Sequence, residues 1–175
     1  EQAVDRRAFD ALILEDYAKG VLTRPFVECV IALCAERRIP VALDPHAANA
    51  FNVPGLRLMT PNRAEAFALC GCYYRPGTLP LSGDQALMEV GRRLTEAWRP
   101  ELLLITLGAH GMALFEGDDD VFHIPTKARE VFDVSGAGDT VMATFMVALL
   151  AGAPPRTAAA LANHAAGIVV AEVGT

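Results

Sequence analysis

The sequence predicts an α/β fold, a mostly parallel sheet flanked by helices, and three observations carry that reading. Short apolar runs recur along the chain, and successive ones end in an acid or a polar turn, at Asp16, Asp44, Asn62 and Gly108. A helical pattern separates the first two runs, and a strand–helix–strand unit needs parallel pairing with a right-handed crossover. Further on, Gly136-Ala137-Gly138-Asp139 opens a helix of small and apolar residues. Ligands of open α/β sheets lie outside the carboxyl ends of the strands. The acids and turns gather along that edge, and the glycine motif faces them from a helix N-terminus.

Each element follows in order from local pattern. Asp10-Ala-Leu-Ile-Leu-Glu-Asp16 reads as a short buried strand. After the loop Tyr17–Gly20, Thr23 caps a helix with Pro25 in its first turn. Phe26, Val27, Val30, Ile31, Leu33 and Cys34 form its apolar face, and Arg37 and Arg38 fall in its last turn. Pro40–Pro45 is the second strand and Leu56–Thr60 the third, joined by a loop of small residues. Pro61-Asn62-Arg63-Ala64-Glu65 opens a helix that ends at Gly71. Ser82 caps a longer helix from about Asp84 to Trp98, with Leu87, Val90, Leu94 and Trp98 on one face. Glu101–Thr106 is the most clearly buried strand. Gly108–Gly111 turns into Met112–Phe115, which pairs with Val121–Ile124 as a hairpin across the acidic turn Asp118–Asp120. The helix over 138–151 is apolar on nearly every side, which predicts burial. Gly152, Pro154 and Pro155 end it.

Length and composition bound the function. At 175 residues the chain suits a single domain, 1–175. With 53% hydrophobic and 21% charged residues it is globular rather than disordered. A formal net charge of −6 argues against a nucleic-acid-binding surface, so any phosphate site is built locally from amides, a metal ion and a few basic side chains. No signal-like segment opens the chain and no apolar run reaches membrane-spanning length, so the expected location is the cytoplasm, with no membrane partner. Cys29, Cys34, Cys70 and Cys72 lack zinc-site spacing, and His46, His110, His123 and His164 are scattered. A structural metal site is not expected.

The glycine motif carries the chemistry. A helix N-terminus offers free N–H groups and the positive end of the macrodipole, which together suit a phosphate. Gly136 and Gly138 let an anion approach the backbone without meeting a Cβ. Asp139 is the odd member, because a carboxylate repels phosphate. The task that fits it is taking a proton from a hydroxyl that attacks phosphorus. On spacing alone, a loop with an ordinary N-cap aspartate explains the same residues equally well.

Asp133-Val-Ser-Gly-Ala-Gly-Asp-Thr140, with the small-residue helix behind it, resembles the C-terminal motif of the ribokinase-like (PfkB) family of carbohydrate kinases. The resemblance implies a ribokinase-like α/β fold and use of ATP with Mg2+. It makes Asp139 the catalytic base and the amides of Gly136, Ala137 and Gly138 the anion hole for the transferred phosphoryl group. Thr60-Pro-Asn62-Arg-Ala-Glu65 resembles the family's Asn-x-x-Glu motif, whose oxygens suit a hydrated magnesium ion or the phosphates it bridges. A helix start with a capping carboxylate is the plainer account of that pair. Thr106, Gly108 and Gly111 resemble the nucleotide-side turn, and Leu161–Gly167 the helix beside the adenine, with Asn163 as its contact. Asp16 and Lys19, in Asp16-Tyr-Ala-Lys-Gly20, fall on the substrate side.

Together with the ending Gly167–Thr175, these motifs look most like the kinase part of ADP-heptose synthesis enzymes, which phosphorylate the anomeric hydroxyl of a heptose 7-phosphate. Ser135 stands where threonine is common, Ala109 where glutamate is, and His46 where lysine is. Family members carry a further N-terminal region with a Gly-Gly motif and a small β-sheet lid, so the chain reads as the C-terminal portion of such a kinase. The expected partners are a small sugar or sugar phosphate and a second copy of the chain. The alternatives are another sugar or nucleoside kinase of the family, or a nucleotide-binding fragment without catalysis. A Rossmann dehydrogenase is disfavoured because the glycine motif lies far from the first strand.

Overall fold

The computed structural model describes residues 3, 8–117, 120–126 and 136–171. Six strands form one sheet in the order β1-β2-β3-β4-β5-β6: β1 (Leu12–Glu15), β2 (Val41–Asp44), β3 (Leu58–Met59), β4 (Leu102–Thr106), β5 (Met112–Phe115) and β6 (Val121–Ile124). The first four are mutually parallel, as the runs ending in an acid or a polar turn predict, and β5 and β6 add an antiparallel hairpin at one edge. Among the described residues five helices flank the sheet: α1 (Arg24–Glu36), α2 (Arg63–Leu69), α3 (Gln85–Trp98), α4 (Ala137–Leu150) and α5 (Pro155–Val169).

Strand periodicity sorts the core into two layers. On β4, Leu103 and Ile105 pack on one face with Val27, Phe67, Leu94 and Trp98 of α1, α2 and α3. Leu102 and Leu104 point the other way, onto Met142 and Phe145 of α4 and Ala158 and Ala162 of α5. The short side chains of α5 let it lie close against α4. On α3, Leu87, Val90, Gly91, Leu94 and Trp98 are buried, the stripe that the spacing predicts.

Several local expectations need correction. Thr23 occupies the N-cap of α1 in extended conformation, but its side chain makes no cap hydrogen bond. That helix ends at Glu36, with Arg37 at the C-cap and Arg38 beyond it at φ 56°, so neither arginine is in the last turn. Ser82 does not cap α3. It lies in a short 3-10 turn, Leu81–Gly83, and Asp84 is the cap, accepting from the Leu87 amide at 3.1 Å. Asp84 directly precedes the helix and its carboxylate reaches the Leu87 amide, while Ser82 sits two residues too early. β3 has two residues rather than five, flanked by single bonds from Arg57 N–H to the Val41 carbonyl and from Thr60 N–H to the Leu43 carbonyl. α4 is not covered all round, because Val147 and Leu150 are 66% and 47% exposed. Asp133, Val134, Ser135, Asp118, Asp119 and 172–175 lie outside the described residues.

Candidate active site

The carboxyl ends of β2, β3 and β4 and the N-terminus of α4 meet at a cavity of about 1010 Å3. Of the residues the sequence singles out, Asn62, Glu65, Thr106, Gly108, Gly111, Ala137, Gly138 and Asn163 line it, with Asp44 and Thr60 beside them. They come from five separate segments. A parallel bridge between Asn62 and Thr106, with Thr106 N–H on the Pro61 carbonyl at 3.1 Å, sets the start of α2 against the end of β4.

At the start of α4, the N-cap is Gly136, whose φ of 71° is the left-handed conformation that a glycine adopts without strain. The first intrahelical bond there runs from Thr140 N–H to the Gly136 carbonyl at 3.0 Å, which leaves the preceding amides of the turn as donors without a partner among the described residues. Asp139 is therefore a first-turn residue and not the cap, and the plain N-cap account of it does not hold. Gly138 needs no special backbone conformation. Among the described residues a Cβ there would meet only Asp44 Oδ2, at 3.9 Å, so the glycine leaves open space at the helix start.

Asn62 and Glu65 form a complete capping box. The Glu65 amide donates to Asn62 Oδ1 at 3.0 Å, and the Asn62 amide donates to Glu65 Oε2 at 2.8 Å. The plainer account of this pair is thus realised, and it leaves Asn62 Nδ2 and Glu65 Oε1 without a partner among the described residues, on side chains that line the cavity. Opposite them is Asp44. Burial pushes its carboxyl up to about 7, assisted by the charges of Glu65, Asp139 and Glu15 and opposed by the Thr60 hydroxyl, which donates to Oδ1 at 3.3 Å. Negative charge is thus concentrated beside a helix N-terminus. One or two carboxylates, with water making up the rest, is the donor set magnesium takes, and no closed cage of three His, Cys, Asp or Glu side chains exists among the described residues.

The turn Gly108–Gly111 is held from outside the cavity. Gly111 has φ 86°, and a Cβ there would stand 2.0 Å from the Ile124 carbonyl oxygen, so no larger residue fits. His123 Nε2 donates to the His110 carbonyl at 2.8 Å. Asn163, buried on α5, donates from Nδ2 to the Pro125 carbonyl at 2.8 Å, which ties that helix to the end of β6.

The remaining predicted residues lie apart from the cavity lining. Asp16 spends both oxygens internally, on the Ala18 amide at 2.8 Å and Asn49 Nδ2 at 2.8 Å. Lys19 is exposed on the turn that follows. Asp139 accepts a hydrogen bond from the Tyr17 hydroxyl at 3.1 Å. Sequence reasoning assigned nothing to Tyr17, nor to Arg63 and Asp84, a buried ion pair in the cavity wall. The one signal for that pair was an acid three residues ahead of an apolar helical stripe.

Residues 7–175 match the pfkB family carbohydrate kinases. The chain is 45% identical over 167 residues to "Bifunctional protein HldE" of Geobacter metallireducens, covering 95% of this chain and 33% of the relative. It is 42% identical over 165 residues to the protein of the same name from Rhodospirillum rubrum, covering 94% and 32%. The chain thus spans about a third of the length of the curated relatives it matches. In fold it is similar to Arabidopsis thaliana ribokinase complexed with ribose and ATP, at a TM-score of 0.78 and 21% identity, over 100% of this chain and 54% of that one. It is likewise similar to phosphofructokinase-2 from Escherichia coli in complex with potassium, at a TM-score of 0.79 and 14% identity, over 99% and 56%. The sheet and its flanking helices are those of the ribokinase fold.

Proposed function

The chain belongs to the pfkB family of carbohydrate kinases, and on that premise we propose that it carries the ATP-side and catalytic elements of a kinase that phosphorylates a sugar hydroxyl. The proposed acceptor is the anomeric hydroxyl of a heptose 7-phosphate, a reading supported by the motif Asp16-Tyr-Ala-Lys-Gly20 and by relatives that share one name. The observation that carries the proposal is the first turn of α4, where free amides and the open space at Gly138 adjoin the cavity one residue from Asp139.

The sugar oxygen attacks the γ-phosphorus of ATP, the bond to the ADP oxygen breaks, and the hydroxyl proton passes to Asp139. Phosphoryl transfer is mostly positioning and charge stabilisation, because its transition state is loose. The amides of Gly136, Ala137 and Gly138 take the charge of the equatorial oxygens. Thr106, Gly108, Gly111 and Asn163 form the nucleotide side, and Asp16 and Lys19 belong to the substrate side. Asn62 and Glu65, together with Asp44, would hold magnesium through water, and the ion would neutralise phosphate charge when bound.

The test is direct. Full-length protein incubated with ATP, magnesium and heptose 7-phosphate should give ADP and a sugar carrying a second phosphate at the anomeric carbon, read by 31P NMR. ADP formation with ribose or fructose 6-phosphate, and none with the heptose, would replace the acceptor while leaving the kinase reading in place.

A further inference from the structure

One side chain with no assigned role touches the proposed base. The Tyr17 hydroxyl lies 3.1 Å from Asp139 Oδ2 and 3.0 Å from Glu15 Oε2. A phenol has one proton, and both neighbours are acceptors, so two carboxylates share a single donor. The Glu15 bond first, then burial and Asp139, push the phenol above its ordinary value, which keeps it a donor. Among the described residues no other group hydrogen-bonds to the Asp139 carboxylate.

Tyr17 is itself placed by the turn that carries it. Ala18 adopts φ 52°, and its amide donates to Asp16 Oδ1, while Asp16 Oδ2 accepts from Asn49. Asp16 is buried and Tyr17 is 59% exposed. The rigid member of this turn is therefore the acid, and the exposed member is the ring that reaches across to α4.

We propose that Tyr17 is a positioning residue for phosphoryl transfer, pinning Asp139 through Oδ2 so that Oδ1 faces the acceptor hydroxyl, with Asp16 holding the turn that presents it. This deepens the reading of Asp139 as the base and rests on it. A base aimed by one hydrogen bond has fewer rotamers to search than one left free on a helix turn.

A double-mutant cycle in the full-length protein tests this, with ATP and heptose 7-phosphate as substrates and parent, Tyr17→Phe, Asp139→Asn and the double variant compared. Tyr17→Phe removes one exposed hydroxyl, and an unchanged melting temperature checks its fold. Its kcat should fall about ten-fold, the scale of one hydrogen bond to a charged group, with both KM values within about two-fold of the parent. The double variant should be no slower than Asp139→Asn, because Tyr17 acts only through that carboxylate. Parent-like kcat in Tyr17→Phe, a change confined to the sugar KM, or losses that multiply in the double variant would each overturn the inference and leave Asp139 as the base. Near-parent turnover in Asp139→Asn, or a parent that leaves the heptose untouched, would instead overturn the reading beneath it, and the inference with it.

Discussion

The Arg63 guanidinium meets the Asp84 carboxylate at 2.8 Å, with the two side chains 8% and 3% exposed. Asp84 also caps α3, and Arg63 donates to the carbonyls of Arg75 and Pro76, so one ion pair joins α2, α3 and the cavity wall between them. Removing one partner strands a buried charge, which costs about 3–5 kcal/mol. Asp84→Ala should lose at least that, and in the full-length protein it should also weaken ATP binding by loosening the wall. Arg63→Met with Asp84→Leu should recover part of the loss. Thermal unfolding of the single and double variants checks both expectations.

The same pair sets an acid limb. Against burial, which raises it, the Arg63 hydrogen bond and the Leu87 and Thr78 amides hold the Asp84 carboxyl below its ordinary value. Over the window between its folded and unfolded pKa the unfolded chain binds more protons, so this contribution is full above about pH 4 and disappears as pH falls. Melting curves from pH 6 down to pH 3 should be flatter in the Arg63→Met, Asp84→Leu variant than in the parent.

Asp44 has the opposite sign. Its folded carboxyl sits at about 7 through burial and the charge of Glu65. Between about pH 4 and pH 7 the folded state holds the extra proton, so stability falls as pH rises. Asp44→Asn should stabilise the metal-free protein at pH 8 by on the order of 2 kcal/mol and have little effect at pH 4. Equal stabilisation at both pH values would mean that the carboxylate is not under this strain.

For Asp139→Asn the shape is kept and the proton acceptor is lost. Turnover should fall about 10²–10⁴-fold, the usual range for a general base, with nucleotide affinity unchanged or improved because a charge beside the phosphates is removed. Gly138→Ala should differ. The protein itself accommodates the methyl, 3.9 Å from Asp44 Oδ2, so the melting temperature should hold while phosphate binding and turnover both drop. Calorimetry with ATP and magnesium, run beside steady-state kinetics, separates the two variants.

Gly91 gives a purely structural test. It faces β5 from α3, and a Cβ there would stand 2.1 Å from the Phe115 ring, which is itself buried. Alanine gains about 1 kcal/mol of helix propensity, yet overpacking a filled core costs about 1–3 kcal/mol. The clash should win, and Gly91→Ala should melt lower than the parent.

Much of the framework was legible because it rests on local rules. Apolar runs ending in an acid or a polar turn marked the four parallel strands, and the spacing of Leu87, Val90, Leu94 and Trp98 marked the buried stripe of α3. The cavity's two walls were legible as motifs at 62–65 and 106–111. What escaped depends on partners distant in sequence. Arg63 and Asp84 are ordinary charges until the chain folds them together, and the reach of Tyr17 to Asp139 spans 122 positions. The capping details failed for a different reason, since Ser82 and Asp84 both satisfy the composition rule and only backbone geometry chooses between them. The exposure of Val147 and Leu150 was equally invisible, because an all-round apolar helix does not say how much of it is covered.

The turn at Gly108–Gly111 has its back to the β5–β6 hairpin, with His123 on the His110 carbonyl and Ile124 closed against Gly111. A ligand that stiffens the turn therefore stiffens the hairpin behind it. Slower deuterium uptake at the β6 amides, remote from any bound phosphate, becomes an occupancy gauge that needs neither turnover nor a label in the cavity.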